Sequence, residues 1–420
     1  MKSIYRCIIT LVILPAFLQT AKPCTVLYAT DGTRVLAATN KDWNNLNTAI
    51  RVMPASEGKF GRIYFGYNIQ EGFQNVGGIN EYGLWYDGAS LPLRADIANY
   101  YNKPEYKGEL CEKALEECQT VEEVIGLYSQ YYTPHWQGHI MWGDKYGNSV
   151  VIEFGEKDVC FIHRKESFHL MTNHYLLDSI NTRWVKCRRF ETAKSMMGGY
   201  NNISVDKLVK VLEAVHQNGF TPTLFSNVYD LTNGIVYIYN YHRYTEVIKI
   251  DIAALLEWGD QNIHLPGLFH QVELNDPVRG KLVYHENSTL SWAGEPGLYR
   301  VMYSIDPDFG DSIIIEENEA SHEKSNALYP GLLLAPLMLC LFRKKNYRQT
   351  QNTFIVLTAT ILISVSCTKI FLNPYPDSEY KHSVEIKNLE PETVYYWKVI
   401  CENNSVINSE SEVQFFETIK

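Results

Sequence analysis

Apolar and polar positions alternate most clearly near the start of the chain. The stretch CTVLYATDGTRVLAATNKDW reads as two strand-like runs around an Asp31-Gly32 turn, a strong hairpin pattern. GGINEYGLWYDGAS and HIMWGDKYGNSVVIEFG repeat the form of strand, glycine-containing turn and strand. Helical spacing then takes over. TVEEVIGLYSQYY opens with Thr120 and Glu123 at capping-box spacing, and RRFETAKSMMGG runs helically into a glycine pair. SNVYDLTNGIVYIYNYHRYTEVIKIDI returns to strands around Asn233-Gly234. Helices in a block between groups of antiparallel hairpins predict an α+β domain over residues 24–282, with sheets covered by helices rather than a parallel α/β alternation.

The pattern changes after residue 283. Residues 283–325 include STLSWAGEPGLYRVMYSID, which reads as strands of a small sandwich. Two apolar runs follow within 326–370, separated by RKKNYRQTQN, and the basic connector fits a helical membrane hairpin with a cytoplasmic turn. Residues 371–420 carry a run of the form L-x-P-x-T-x-Y-Y-W-x-V, which resembles the second half of a fibronectin type III module. STLSWAGEPGLYRVMYS is either its separated first half or the remnant of another module.

At the N-terminus, Lys2 and Arg6 flank an apolar stretch from Cys7 to Leu18. That is the form of a signal peptide, too short to span a bilayer comfortably. Residues 1–23 are therefore expected to be a signal peptide with a short propeptide. The chain is expected to be exported to a periplasm or cell surface, with membrane association through 326–370.

Composition narrows the function. The 420 residues carry a net charge of −10 with no basic block, which argues against a nucleic-acid partner. The 29 tyrosines suit a β-rich fold with aromatic-lined pockets. The nine cysteines show neither a CxxC pair nor zinc-like spacing. Cys111 and Cys118 are seven residues apart on a predicted helix, about 10 Å of rise, too far to bond to each other.

Cys24 stands where the leader would be removed. An N-terminal cysteine carries a thiol nucleophile and an α-amine of pKa about 8 on one residue, so the amine takes the thiol proton and no histidine base is needed. On position alone, a structural cysteine at the start of a strand is the competing reading. The surrounding residues add to the case for catalysis. CTVLYATDGTRVLAATNKDW, GGINEYGL, GDKYGNSVVIEF, MTNHY and NTRWVKCRRF occur in the order of the N-terminal nucleophile hydrolases related to choloylglycine hydrolase, penicillin V acylase and isopenicillin N acyltransferase. The chain resembles that family over roughly residues 24–280.

The resemblance implies a four-layer αββα sandwich and hydrolysis of a linear, non-peptide C–N amide in a small molecule through a Cys24 thioester, with no metal or organic cofactor. It implies that Asp42 orients the Cys24 amine or thiol and that Asn173 donates to the oxyanion. Arg183 would place positive charge near the thiol, with Arg188 and Arg189 competing for that role. Thr39, Asn40 and Ser90 fall at substrate or oxyanion positions. Thr39 stands where bile-salt hydrolases carry arginine, and Ser90 where they carry asparagine or tyrosine, which argues against conjugated bile salts. Acyl transfer through the same thioester and an inactive binding or adhesion protein on the same fold are the alternatives. For maturation, cleavage after Ala21 followed by loss of Lys22-Pro23 would expose Cys24.

Overall fold

The computed structural model describes residues 24–92, 103–133, 138–155, 158–177, 187–199, 202–317, 378, 380–402 and 407–420. The expected leader, the apolar pair in 326–370 and Arg183 lie outside these residues. The chain divides into two units: one runs to Phe269 and includes 403–410, and the other comprises 270–402 and 411–420. Among the described residues no helix is long and apolar enough to cross a membrane.

The first unit opens with β1 (Cys24–Thr30) and β2 (Val35–Asp42), joined at Asp31-Gly32, where Gly32 takes a positive φ of 91°. Then come β3 (Thr48–Met53), β4 (Arg62–Ile69), β5 (Gly72–Asn80), β6 (Trp85–Ser90), α1 (Leu110–Glu117) and α2 (Val121–Gln130). The next elements are β7 (Gly138–Gly143), β8 (Ser149–Phe154), β9 (Val159–His163), β10 (Phe168–Met171), α3 (Arg188–Met197) and α4 (Val205–Val215). β11 (Thr223–Asp230), β12 (Ile235–Asn240), β13 (Glu246–Asp251), α5 (Ile252–Glu257) and β14 (Gln261–His264) complete the series. The expected capping box is present at α2, where Thr120 and Glu123 exchange side-chain and backbone hydrogen bonds.

These strands form two antiparallel sheets, in the orders β10-β1-β2-β11-β12-β13 and β14-β3-β4-β5-β6-β7-β8-β9. Period-2 alternation sends each strand's side chains to opposite faces. Leu27, Ala29, Leu36 and Ala38 of the first sheet pack on Ala193, Leu208, Val211 and Leu212 of α3 and α4. On the second sheet, Trp142, Val150 and Ile152 pack on Ala114, Leu115, Val124 and Tyr128 of α1 and α2. The inner faces meet through residues such as Phe65 and Trp85, whose rings lie 5.6 and 5.7 Å from that of Tyr229. The architecture is a four-layer αββα sandwich. Tyr28 fits between the sheets because residue 143 is glycine, where a Cβ would lie 2.4 Å from the Tyr28 ring. Its hydroxyl donates to the Asp144 carbonyl at 2.7 Å.

The second unit is a smaller β-sandwich. One sheet has the order β15 (Glu273–Asp276), β17 (Asn287–Ala293), β20 (Lys381–Lys387). In the other, β16 (Lys281–Tyr284) pairs with β23 (Gln414–Ile419), which pairs with β21 (Val394–Glu402), followed by β18 (Tyr299–Ser304) and β19 (Ile313–Glu317). β22 (Asn408–Ser411) begins in the first unit, where Ser409 Oγ donates to the buried Glu246 carboxylate and Lys249 pairs with Glu410 at 2.6 Å. The two stretches left as alternatives by the sequence pair directly: Leu290 lies opposite Val384 and Val301 opposite Val399. Trp292, Tyr299, Trp397 and Phe416 share their core. STLSWAGEPGLYRVMYS and the C-terminal run are therefore parts of one sandwich, separated in sequence by residues 318–377.

One ion pair in the first unit is fully enclosed. Lys41 Nζ donates to Asp87 Oδ1 and, at 2.8 Å, to the Val76 carbonyl, with both side chains at most 1% exposed. Burial raises the Asp87 pKa to about 6 from an ordinary 3.8, against the pull of the Lys41 charge. Lys41→Met alone would leave a carboxylate buried without its partner and is expected to cost about 3–5 kcal/mol, read from urea unfolding. Lys41→Met/Asp87→Leu should recover most of that loss, whereas simple additivity would show no coupling. Because the folded pKa is raised, the Asp87 contribution is fully present below about pH 4 and lost as pH rises through about 6. Asp87→Asn should therefore flatten the stability curve between about pH 4 and 6.

Candidate active site

Strand register assembles the site. β1 pairs with β10 so that Val26 lies opposite Met171, and continuing that register by two residues brings Asn173 beside Cys24. On its other side β1 pairs with β2, and Cys24 lies opposite Lys41. β2 in turn pairs with β11, where an irregularity between Thr223 and Phe225 sets Thr223 opposite Asp42. Four strands thus bring residues 24, 41–42, 173 and 223 to one end of the first sheet.

The Cys24 backbone nitrogen donates to Asn173 Oδ1 at 2.8 Å. The same oxygen accepts from Arg189 Nη2 at 2.7 Å, and Asn173 Nδ2 donates to the Ser90 carbonyl at 2.8 Å. Two donors on Oδ1 and an acceptor on Nδ2 fix the orientation of the amide. Arg189, in the first turn of α3, also donates from Nη1 to the Cys24 carbonyl at 2.5 Å and to Thr25 Oγ1 at 2.9 Å. That nitrogen lies 3.8 Å from Asp42 Oδ2. Asp42 is buried and accepts from Thr223 Oγ1 and, at 2.7 Å, from Gln217 Nε2. Gln217 N in turn donates to Thr223 Oγ1 at 2.8 Å, so one short loop supplies both partners of the carboxylate.

Three charged groups act on the thiol, Lys41, Asp42 and Asp87, while Arg189 stands at the Cys24 carbonyl. Burial pushes the Cys24 thiol up to about 11; the Lys41 charge and the Asp42 backbone N–H oppose this, and the Asp42 and Asp87 carboxylates add to it. Burial also raises Asp42 to about 6, with Thr223, Arg189, Gln217 and Lys41 holding it down. Tyr67 stands near enough for the Cys24, Asp42 and Asp87 charges to help burial raise its phenol, and it packs edge-on against Trp43 at 4.4 Å.

The structure brings together Cys24, Asp42, Asn173 and the Ser90 carbonyl. Asp42 does so in a different way from that expected: Asn173 takes the Cys24 N–H, while the Asp42 carboxylate is held by Thr223 and Gln217. Ser90 supplies a backbone acceptor to Asn173. Thr39 is buried opposite Val26 and Asn227 and, two residues from Lys41, shares its strand face. Asn40 does not join the site. Strand alternation turns it to the helical side, where Nδ2 donates to the Leu212 carbonyl and Oδ1 accepts from Ser226 Oγ. Arg183 lies outside the described residues; among the described residues it is Arg189 that reaches Cys24. Lys41, Asp87, Gln217 and Thr223 were not singled out in the sequence. A lysine and an aspartate at inward positions of strands β2 and β6 were the available signal for the first two.

No family model matches the chain, and no curated protein matches it in sequence. Among solved structures, a mutant conjugated bile acid hydrolase from Clostridium perfringens aligns at a TM-score of 0.45 and 16% identity, over 57% of this chain and 95% of that one. A penicillin V acylase from Agrobacterium tumefaciens aligns at a TM-score of 0.44 and 17% identity, over 58% of this chain and 91% of that one. The structure is thus similar to those of a bile acid hydrolase and a penicillin V acylase.

Proposed function

We propose that the protein is an exported amidohydrolase whose nucleophile is an N-terminal Cys24, acting on linear, non-peptide C–N amides of small molecules. The observation that carries this reading is the network on Cys24 itself. Its nitrogen and carbonyl are both held by side chains, Asn173 and Arg189, so the residue that would bear the amine and the thiol is fixed from two sides.

In the proposed reaction the freed α-amine takes the Cys24 thiol proton, and Sγ attacks the substrate carbonyl carbon. The negative oxygen of the tetrahedral intermediate is stabilised by N–H donors of the Asn173 kind. The C–N bond then breaks, and the ammonium returns its proton to the departing amine. Water attacks the thioester in the second half-reaction, releasing the acid and restoring the thiol. Arg189 holds Asn173 and the Cys24 carbonyl, while Asp42 balances its charge.

The mature protein is expected to begin at Cys24, measured by N-terminal sequencing and intact mass, and Cys24→Ser should abolish turnover on a panel of N-acyl amines read by amine release. A mature protein that keeps Lys22 and is inert to thiol reagents would favour a binding protein on the same fold. Asn173→Ala should lower the rate about 100- to 1,000-fold, the loss seen when one oxyanion donor is removed. In protein still carrying residues ahead of Cys24, iodoacetamide alkylation of that thiol should be slow at neutral pH. It should climb as pH rises toward about 11, because burial holds the thiol protonated. A plateau near pH 8 in that unprocessed form would contradict the described surroundings of the thiol.

A further inference from the structure

The hairpin GDKYGNSVVIEF carries, one residue before its end, a glutamate that plays no part in the reaction proposed above. Glu153 lies on β8 and is 1% exposed; His139, on the neighbouring β7, is 0% exposed. Both alternate with residues that pack on the helical side, Ile140 and Ile152, and so face the space between the sheets. His139 Nδ1 lies 2.9 Å from Glu153 Oε1, and Nε2 lies 2.7 Å from the carbonyl oxygen of Thr172. A carbonyl only accepts, so Nε2 carries a hydrogen, and Nδ1 and the carboxyl share the other proton. The Glu153 carboxyl has two further partners: Oε1 accepts from Leu176 N at 2.7 Å and Oε2 from Leu177 N at 3.1 Å.

These contacts take hold of one turn at both ends. Thr172 precedes Asn173, and Leu176 and Leu177 close the turn behind it. Between them, Thr172 Oγ1 meets His174 Nδ1 at 2.9 Å, and the His174 ring stands edge-on to Phe190, the residue after Arg189, at 4.7 Å. A buried pair is expensive unless all its polar atoms are matched, and here the matching partners are the backbone groups of the segment that presents Asn173.

We propose that His139 and Glu153 are positioning residues, a buried clamp on residues 172–177 that holds Asn173 against Cys24. This rests on the reading of Cys24 as nucleophile and Asn173 as oxyanion donor, and it adds how the donor is kept in place. Displacing a reacting group by about 1 Å can cost about 100-fold in rate, so a loosened turn should show in chemistry before it shows in folding.

The test compares two reactions of Cys24 in the processed full-length protein. Iodoacetamide alkylation senses the thiolate alone. Acylation by 4-nitrophenyl acetate, in which Sγ bonds to the acetyl carbon and 4-nitrophenolate leaves, passes through an oxyanion. Glu153→Gln should lower the ratio of acylation to alkylation tenfold or more. His139→Leu should do the same, and His139→Gln, which offers an N–H to Thr172, should recover part of it. An unchanged ratio in folded Glu153→Gln and His139→Leu proteins overturns the clamp; should Glu153→Gln unfold, the two His139 variants decide by the same ratio. If the wild-type acylation burst survives Cys24→Ser, the nucleophile reading fails first and the clamp's role falls with it, an outcome distinct from an unchanged ratio.

Discussion

The register of β1 between β10 and β2 is the constraint on which the site depends. It sets Cys24 opposite Lys41 on one side and beside Asn173 on the other. A shift of one residue would turn the thiol toward α3 and α4 and bring Thr25 into its place. The fully buried pattern of β1 explains why this does not happen. Leu27 and Ala29 belong to the helical layer, Tyr28 fits only against Gly143, and neither set can exchange faces. Packing energy in the body of the strand therefore fixes the position of its first residue.

Around that residue the charges are balanced in number but not in role. Lys41 and Asp87 are tied to each other deep between the sheets, whereas Arg189 and Asp42 stand 3.8 Å apart and hold neighbouring groups as well. The inner pair sets a field that the thiol feels, and the outer pair sets the geometry of the backbone that carries it. Buried as it is, the thiol would need a nearby base in the proposed reaction, and an α-amine on the same residue would supply one without a further titratable group in the core.

Much of the first unit was legible in the sequence. The hairpins at Asp31-Gly32 and Asn233-Gly234, the capping box at Thr120 and the helix ending at Gly198 are local signals, and local physics decides them. Residues that meet across the sandwich were harder. Spacing does not separate Arg183, Arg188 and Arg189; Arg189 reaches Cys24 because it lies in the first turn of α3, whose start the sequence does not mark. Asn40 adjoins Lys41 in sequence, but strand alternation turns it to the opposite face, where it meets Leu212 and Ser226. His139 gave no signal, since nothing local links it to a turn more than thirty residues on. In the second unit, separation in sequence hid the pairing of STLSW with the C-terminal run.

That separation has a consequence for the order of events during synthesis. β17 and β18 find their partners β20 and β21 only on the far side of residues 318–377, and β22 brings Ser409 and Glu410 back to the first unit from near the end of the chain. Closing so long a loop adds little to the equilibrium cost, because loop entropy grows only logarithmically with length. It does delay the contacts, and topologies rich in distant pairings fold slowly. Strands such as β17, paired on one edge with β15, must therefore emerge and wait for β20 on the other, with Trp292 and Leu290 short of part of their core. An apolar strand with one edge open in that interval is a template for the wrong neighbour, so the chain's vulnerable stage comes while it is being made.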